Sequence, residues 1–406
     1  MKNIAFSRTR GWGASRGLSL VELMVALAIG VVLLLGLVEI FGASRAAFSA
    51  AEGASRNQEA GRFAMEFLRH DVRMAGHLGC LNENAYQSNA GALYNHAVNP
   101  STNFTAAPFS LRVDYPIQGY NYVGTNPGQS VDLTAGISAA PGNGSWDPPL
   151  PAALGALIGG ASSAVVGSDV LVVRFLSSEF VDSAFVNVAA NQIQFNDPLD
   201  GPFFLEQAVY GVTNCRVLSV VQARSGPSGI IVNTGIGGLN AVAWSAVEDG
   251  YASPGTYIHR YNYIVYFVGI DAASGQPSLM RRNFDAGVGG SQLGVNEVLV
   301  EGIESLQFVF GIDNSTPKDD VVDVYGSASD VDDLAVPAGL DDAGRWRLVT
   351  TVRLGILARS PNAASVPQVG ASSQLRAADS RFLPPDDNRV RQTYETLITI
   401  RNRVRN

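Results

Sequence analysis

Apolar and polar positions along this chain fall into two regimes. Residues 18–41, "LSLVELMVALAIGVVLLLGLVEIF", form an apolar run broken only by Ser19, Glu22, Glu39 and two glycines. As a helix of about 24 residues rising about 1.5 Å each, the run spans roughly 36 Å, enough to cross a bilayer. Beyond it the helical pattern continues, now with polar positions. "ASRAAFSAAEGASRNQEAGRFAMEFLRHDVRMAG" is rich in Ala, Arg, Glu and Met and lacks proline, with Phe63, Phe67 and Met74 on one line and Ala64, Leu68 and Val72 beside it. The pattern predicts one helix over residues 19–74, apolar all round in its first half and carrying a single apolar stripe in its second. Gly30, Gly36, Gly42, Gly53 and Gly61 are places where it could bend.

After "AGHLGC" the period shortens. Gly, Asn, Ser and Pro punctuate short β-branched stretches, which predict strands over residues 110–115, 169–176, 184–189, 191–196, 215–223, 229–234, 259–270, 277–284, 298–312, 347–359 and 394–403. In "YNYIVYFVG", Tyr261, Tyr263, Val265, Phe267 and Gly269 alternate with Asn262, Ile264, Tyr266 and Val268, so at least one face is packed. No helix-forming runs separate the strands, which argues for antiparallel sheet rather than βαβ repeats. Residues 82–108 and 124–155 read as long loop-like insertions, and such lengths signal a surface function or a subdomain. The expected fold class is α+β: a long N-terminal helix packed on a β-rich, mainly antiparallel domain with long insertions. Its parts are residues 1–17, a basic leader; 18–41, the membrane-spanning half of the helix; 42–75, its amphipathic half; and 76–406, the globular domain.

Composition narrows the function. The 406 residues are 46% hydrophobic, and 28 Lys+Arg against 36 Asp+Glu give a net charge of −8. A polyanion partner needs a basic surface, so no nucleic-acid partner is expected. Four of the basic residues, Lys2, Arg8, Arg10 and Arg16, precede the apolar run without an acidic companion; removing them would take the net charge from −8 to −12. A positive flank followed by an apolar run predicts a cytoplasmic N-terminus, with everything beyond the run across the membrane. Cys80 and Cys215 both fall on that outer side, where an oxidising compartment would let them pair. The alternative is two buried thiols.

An ordinary secretory signal peptide would share the basic flank and the small residues of "FGAS". Three features oppose it: the run is too long, the helix continues beyond it, and it opens with Glu22, a carboxylate that costs about 2.5–3.5 kcal/mol in hydrocarbon. "GLSLVELMVALAIG" instead resembles the leader of type IV prepilins and pseudopilins: a short basic segment ending in Gly17, an apolar first mature residue, and a glutamate at the fifth mature position. Leu18 stands where Phe or Met is commoner. The resemblance implies cleavage between Gly17 and Leu18 by a prepilin peptidase, N-methylation of Leu18, and a role for Glu22 in docking, as the partner of a neighbouring subunit's amino group. Glu39 is expected to snorkel to the membrane edge.

Further along, "FLRHDVRMAGHLGC", "YNYIVYFV", "VLVEGIESLQFVFGID", "WRLVTTVRLGILARS" and "YETLITIRNR" resemble segments of the PilW family, large minor pilins of type IV pilus assembly. This implies a minor pilin in the inner membrane with its domain in the periplasm, later in the pilus. Its implied partners are other minor pilins, the major pilin, the prepilin peptidase and the inner-membrane assembly platform. A J-type pseudopilin of type II secretion is a second reading. A third is an adhesin, with Tyr86, Tyr94, Phe104, Tyr120, Tyr122 and Trp146 as exposed contact residues.

Little else points to chemistry. Asp313, Asp319, Asp320 and Asp323 are weak candidate ligands for Ca²⁺ in an acidic stretch that lacks EF-hand spacing, and the plainer reading is a solvated charged loop. His70, His77, His96 and His259 show no metal-ligand spacing, and His70 and His77 read as helix-surface or junction residues. "GIGGLN" and "GVGGSQLG" precede no helix and read as turns. No nucleophile elbow is present. No cofactor and no enzymatic activity are expected.

Overall fold

A computed structural model describes residues 19–81, 92–158, 163–187, 191–195, 208–226, 229–232, 238–242, 244, 251, 255–283, 294–335, 341–363 and 375–403. Helix α1, Leu20–Met74, is continuous over 55 residues and ends at Ala75, whose backbone is no longer helical. Its glycines are not breaks. Gly53 and Gly61 are points of close approach: a Cβ on Gly61 would lie 2.3 Å from the Tyr394 ring, and one on Gly53 would lie 3.2 Å from Ser360.

Among the described residues the β-domain contains β1 Leu93–Asn95, β2 Ile117–Tyr122, β3 Ser130–Asp132, β4 Trp146–Asp147, β5 Val170–Asn187, β6 Gln192–Phe195, β7 Ala208–Thr213, β8 Leu218–Gly226 and β9 Gly229–Val232. It continues with β10 Tyr257–Ile270, β11 Pro277–Asn283, β12 Asn296–Glu301, β13 Ile303–Ile312, β14 Val324–Gly326, β15 Val349–Ala363, β16 Arg376–Ala377, β17 Ser380–Leu383 and β18 Arg389–Thr399. Short helices α2 (Ala152–Ile158), α3 (Ala328–Asp332) and α4 (Asp342–Trp346) connect them.

Three sheets form. The largest runs β12-β11-β10-β7-β8-β9-β6-β5-β2-β4, and β10 also pairs with β5. The pairing therefore closes on itself through β10, β7, β8, β9, β6 and β5, every step antiparallel, into a six-stranded barrel. Val181, Ile193, Tyr210, Val212, Val221, Trp244 and Ile258 form a separate core among these strands. A four-stranded antiparallel sheet, β14-β13-β15-β18, carries α1 on one face. β16, β17 and β3 form a small third sheet, with β3 parallel to β17.

The alternation read in "YNYIVYFVG" is packed on both sides. Ile264, Tyr266 and Val268 join α1 and the four-stranded sheet in one core, whereas Tyr261, Tyr263, Val265 and Phe267 join a second core with Trp146 and Leu154. A strand buried on both faces is the middle layer of a three-layer arrangement, which periodicity alone does not reveal.

Several expectations need correction. The run 298–312 is two strands, divided at Gly302. Its positive φ of +82° turns the chain from the large sheet to the four-stranded one, and a Cβ there would meet the Arg359 carbonyl at 2.7 Å. The stretches expected over 169–176 and 184–189 are instead joined in one strand, β5, which is described as far as Asn187. Residues 110–115 are no strand: a 3₁₀ turn, Phe109–Leu111, and the Arg112–Asp114 ion pair at 2.7 Å occupy them. β2 and β7, missed in sequence, carry Gly119 and Gly211, weak strand residues accepted here because Phe310 and Leu176 side chains fill the space beside them. Where they are described, the insertions are packed, not structureless: Leu93 and Val98 in the first and Val131, Leu133, Trp146, Leu150 and Leu154 in the second are buried.

Asp169 ties the layers. Its carboxylate accepts from Tyr122 N–H at 2.8 Å, Phe308 N–H at 2.9 Å and Asn121 Nδ2 at 2.7 Å, joining β2 and β13 at the start of β5. Burial pushes this carboxyl up to about 7 while those donors pull it down.

Candidate assembly helix and its seat

The apolar half of α1 has no cover from the described residues. Leu20, Leu23, Leu27, Val31, Leu34, Leu37 and Phe41 are all exposed, and an 18-residue window of this half has a mean hydropathy of 2.8. Only lipid or other apolar helices can remove that surface from water. Glu22 lies exposed in the first turn and accepts a hydrogen bond from Ser19 N–H at 3.1 Å, a helix-capping interaction that leaves the carboxylate with no opposite charge from the described residues. Gly17 and Leu18 lie outside the described residues.

The second half is firmly seated. Gly53, Asn57, Gly61, Ala64, Leu68 and Val72 form the buried stripe. Sequence placed Phe63 and Phe67 on an equal footing with it, but both stay partly exposed. Small residues prevail because they let α1 lie directly against β15 and β18, where larger ones would hold the helix off the sheet. Polar ties fix the register: Asn57 Nδ2 donates to the Val390 carbonyl at 2.7 Å, and Asn402 Nδ2 reaches the Met74 and Ala75 carbonyls at 3.3 and 3.4 Å. Tyr266 Oη donates to Asp71 Oδ2 at 2.5 Å; burial and this carboxylate push the phenol well above its usual range. A polar Asp71 within the apolar stripe was the legible trace of this tie.

At the far end of α1, Gly76 and His77 join β5 by main-chain bonds, Gly76 N–H to Arg174 O at 2.9 Å and Leu176 N–H to His77 O at 2.7 Å. Cys80 and Cys215 are disulfide-bonded with Cα atoms 4.8 Å apart. Cys215 sits in the β7–β8 turn with φ +65°, not in the strand that sequence placed it in. His77 and His259 meet edge to face at 6.0 Å, each Nδ1 2.8 Å from a carbonyl of β5. Burial lowers the His259 pKa. Replacing both cysteines by serine is expected to cost about 4–5 kcal/mol, the loop-closure entropy of a bridge across so long a loop. Urea titrations should then show reductant lowering the wild-type midpoint while leaving the double variant unchanged.

The other candidates are used structurally. Asp313 is buried and accepts from Ser315 Oγ at 2.6 Å and Asp320 N–H at 2.8 Å; burial pushes its carboxyl up, but these donors hold it below the usual range. Asp319 accepts from Val321 N–H and Asp323 from Asn314 N–H. Among the described residues no group of three or more His, Cys, Asp or Glu is placed to hold a metal. His70 is exposed beside Asp71, and buried His96 lies 3.1 Å from the Val242 carbonyl. Of the proposed adhesive aromatics, Tyr120 and Trp146 are buried and Tyr94, Phe104 and Tyr122 half-buried, which corrects the exposure expected of them; Tyr86 lies outside the described residues. "GVGGSQLG" up to Leu293 and the first three residues of "GIGGLN" do too.

A long helix, half bare and half seated on an antiparallel sheet, defines a pilin-like architecture. Two family comparisons sharpen this. Residues 12–38 match the prokaryotic N-terminal methylation motif, and residues 265–402 match the family described as type IV pilus-assembly protein W. No curated protein and no solved structure matches the chain. The chain thus carries the prepilin methylation motif and a PilW domain, the marks of a type IV pilus-related minor pilin. Such pilus components are structural rather than enzymatic. The PilW match begins within β10 and takes in the sheet that seats α1; β5 to β9, which complete the barrel, lie outside it.

Proposed function

We propose that this protein is stored in the inner membrane by the apolar half of α1, with its β-domain in the periplasm, and is then drawn into the pilus. A prepilin peptidase cuts between Gly17 and Leu18, Leu18 is N-methylated, and Glu22 docks the helix among its neighbours. There, with other minor pilins and next to the major pilin, it helps to start assembly on the membrane platform and stays at or near the tip.

The observation that carries this reading is the division of α1: one half locked to the sheet, the other apolar on every side and uncovered. A helix built only to anchor needs no such rigid continuation into the domain. The pilus-assembly match favours a pilus over a secretion pseudopilus. The test is deletion of the gene, with pili counted by microscopy and the mature protein sought in sheared filaments. Few or no pili, restored by the wild-type chain, are expected, with the mature protein far scarcer than the major pilin. Normal piliation in the deletion strain would rule the reading out.

A further inference from the structure

The face of α1 turned away from the sheet carries a second pattern. Phe63 and Phe67 stay 46% and 38% exposed, and the Arg62 guanidinium stands 5.8 Å from the Phe63 ring centre. Close by, Arg69, Arg73 and Arg401 line a cleft of about 460 Å³ where the end of α1 meets the turn after β18; Glu66 is the one carboxylate lining it. None of the three arginines forms an ion pair among the described residues. In a chain of net charge −8 the three arginines make a local basic edge.

The opposite edge of the same sheet has the complementary character. The strand order β14-β13-β15-β18 puts β14 farthest from β18. There Asp319 and Asp323 are exposed alongside the apolar residues Val321, Val324 and Tyr325. The two edges also lie at the same end of the sheet: the acidic loop follows Ile312, which pairs with Val349, and Ile400 N–H bonds to the neighbouring Thr350 carbonyl just before Arg401.

Within one molecule the width of the sheet keeps these edges apart. We propose that a second copy of this chain docks its Asp319–Asp323 edge against the Arg69, Arg73 and Arg401 edge of the first. Such a contact is heterologous and leaves one face of each kind open, so it extends in one direction. Because both edges lie at the same height, copies can be joined this way with their α1 helices side by side and pointing the same way. The bare halves then enter one bilayer together, which an antiparallel contact would forbid. Opposite charges supply orientation, and Val321 and Val324 beside the aspartates supply apolar area.

The experiment uses full-length protein in detergent micelles, followed by sedimentation velocity. Self-association is expected at low salt and should weaken by about tenfold or more near 0.5 M salt, as screening shortens the reach of exposed charges. R69E/R73E and D319K/D323K should each weaken self-association by about tenfold or more, and mixing the two variants should restore association. V321S, which leaves every charge in place, should weaken it as well. Near-UV circular dichroism checks that each variant is folded. A wild-type chain that stays monomeric, or folded charge-reversal variants that associate as the wild type does, or a mixture that fails to recover, would overturn the proposal; binding only to a different pilin subunit would do so too.

Discussion

Glu22→Ala is expected to leave the leader processed and the protein in the membrane, yet to lower its amount in sheared pili by about tenfold or more. In the described chain the Glu22 carboxylate has only the Ser19 N–H, 3.1 Å away, as a partner. A carboxylate within hydrocarbon costs about 2.5–3.5 kcal/mol unless an opposite charge meets it. The Leu18 amino group of an axially shifted neighbour would supply that charge, so the acid favours one stagger over all others. Alanine removes both the penalty and the preference: membrane residence becomes easier and ordered docking harder. Glu22→Gln tests the charge itself, because it retains hydrogen-bonding capacity, and it should fail nearly as badly. Mass spectrometry of the mature N-terminus together with immunoblots of membranes and sheared filaments would check this. Incorporation at the wild-type level would refute the docking role.

Glu304→Ala should be among the most destabilising single changes in the domain, costing about 3–5 kcal/mol. Glu304 is fully buried on β13 and holds two arginines. Arg391 Nε and Nη2 lie 2.7 and 3.0 Å from its oxygens, and Arg359 Nη1 lies 3.1 Å away. Asp387 supports Arg391 but reaches it from the far side, at 2.6 and 2.8 Å. Without Glu304, the buried Arg391 and half-buried Arg359 guanidinium groups share too little negative charge, and burial already lowers the Arg359 pKa. The damage should spread to the helix, because Arg391 adjoins Val390, whose carbonyl receives Asn57 of α1, and Ser360 beside Arg359 packs against Gly53. Urea unfolding should show a lowered midpoint with little change in slope, and hydrogen exchange should quicken in β18. A loss below about 1 kcal/mol would mean the cluster is no more than a surface-like ion pair.

The helix was legible because its cause is local. Composition, the absence of proline and the apolar spacing act within a few residues of one another, and the expected span 19–74 differs by one residue from Leu20–Met74. Strands such as β10, β11 and β15 were legible for the same reason. The stripe was harder to read. Phe63 and Phe67 have the same helical spacing as Ala64 and Leu68, so periodicity could not choose between the lines. Tyr394 and Ser360, over 290 residues away in the chain, made the choice by lying against Gly61 and Gly53. Tyr120 and Trp146 looked like surface aromatics because the turn-rich sequence around them does not announce that it folds inward.

Legible in the residues alone were an apolar helix long enough to cross a membrane, an acid near its start, a β-rich domain after it, and two cysteines that both follow that helix. These follow from hydrophobicity and chain order. The folded arrangement alone shows that β10 lies between two cores, that β5 to β10 close into a barrel, that Gly302 passes the chain from one sheet to the other, and that Cys80 meets Cys215. Each of these depends on partners far away in sequence, whose pairing is set by the burial of whole faces rather than by any local preference.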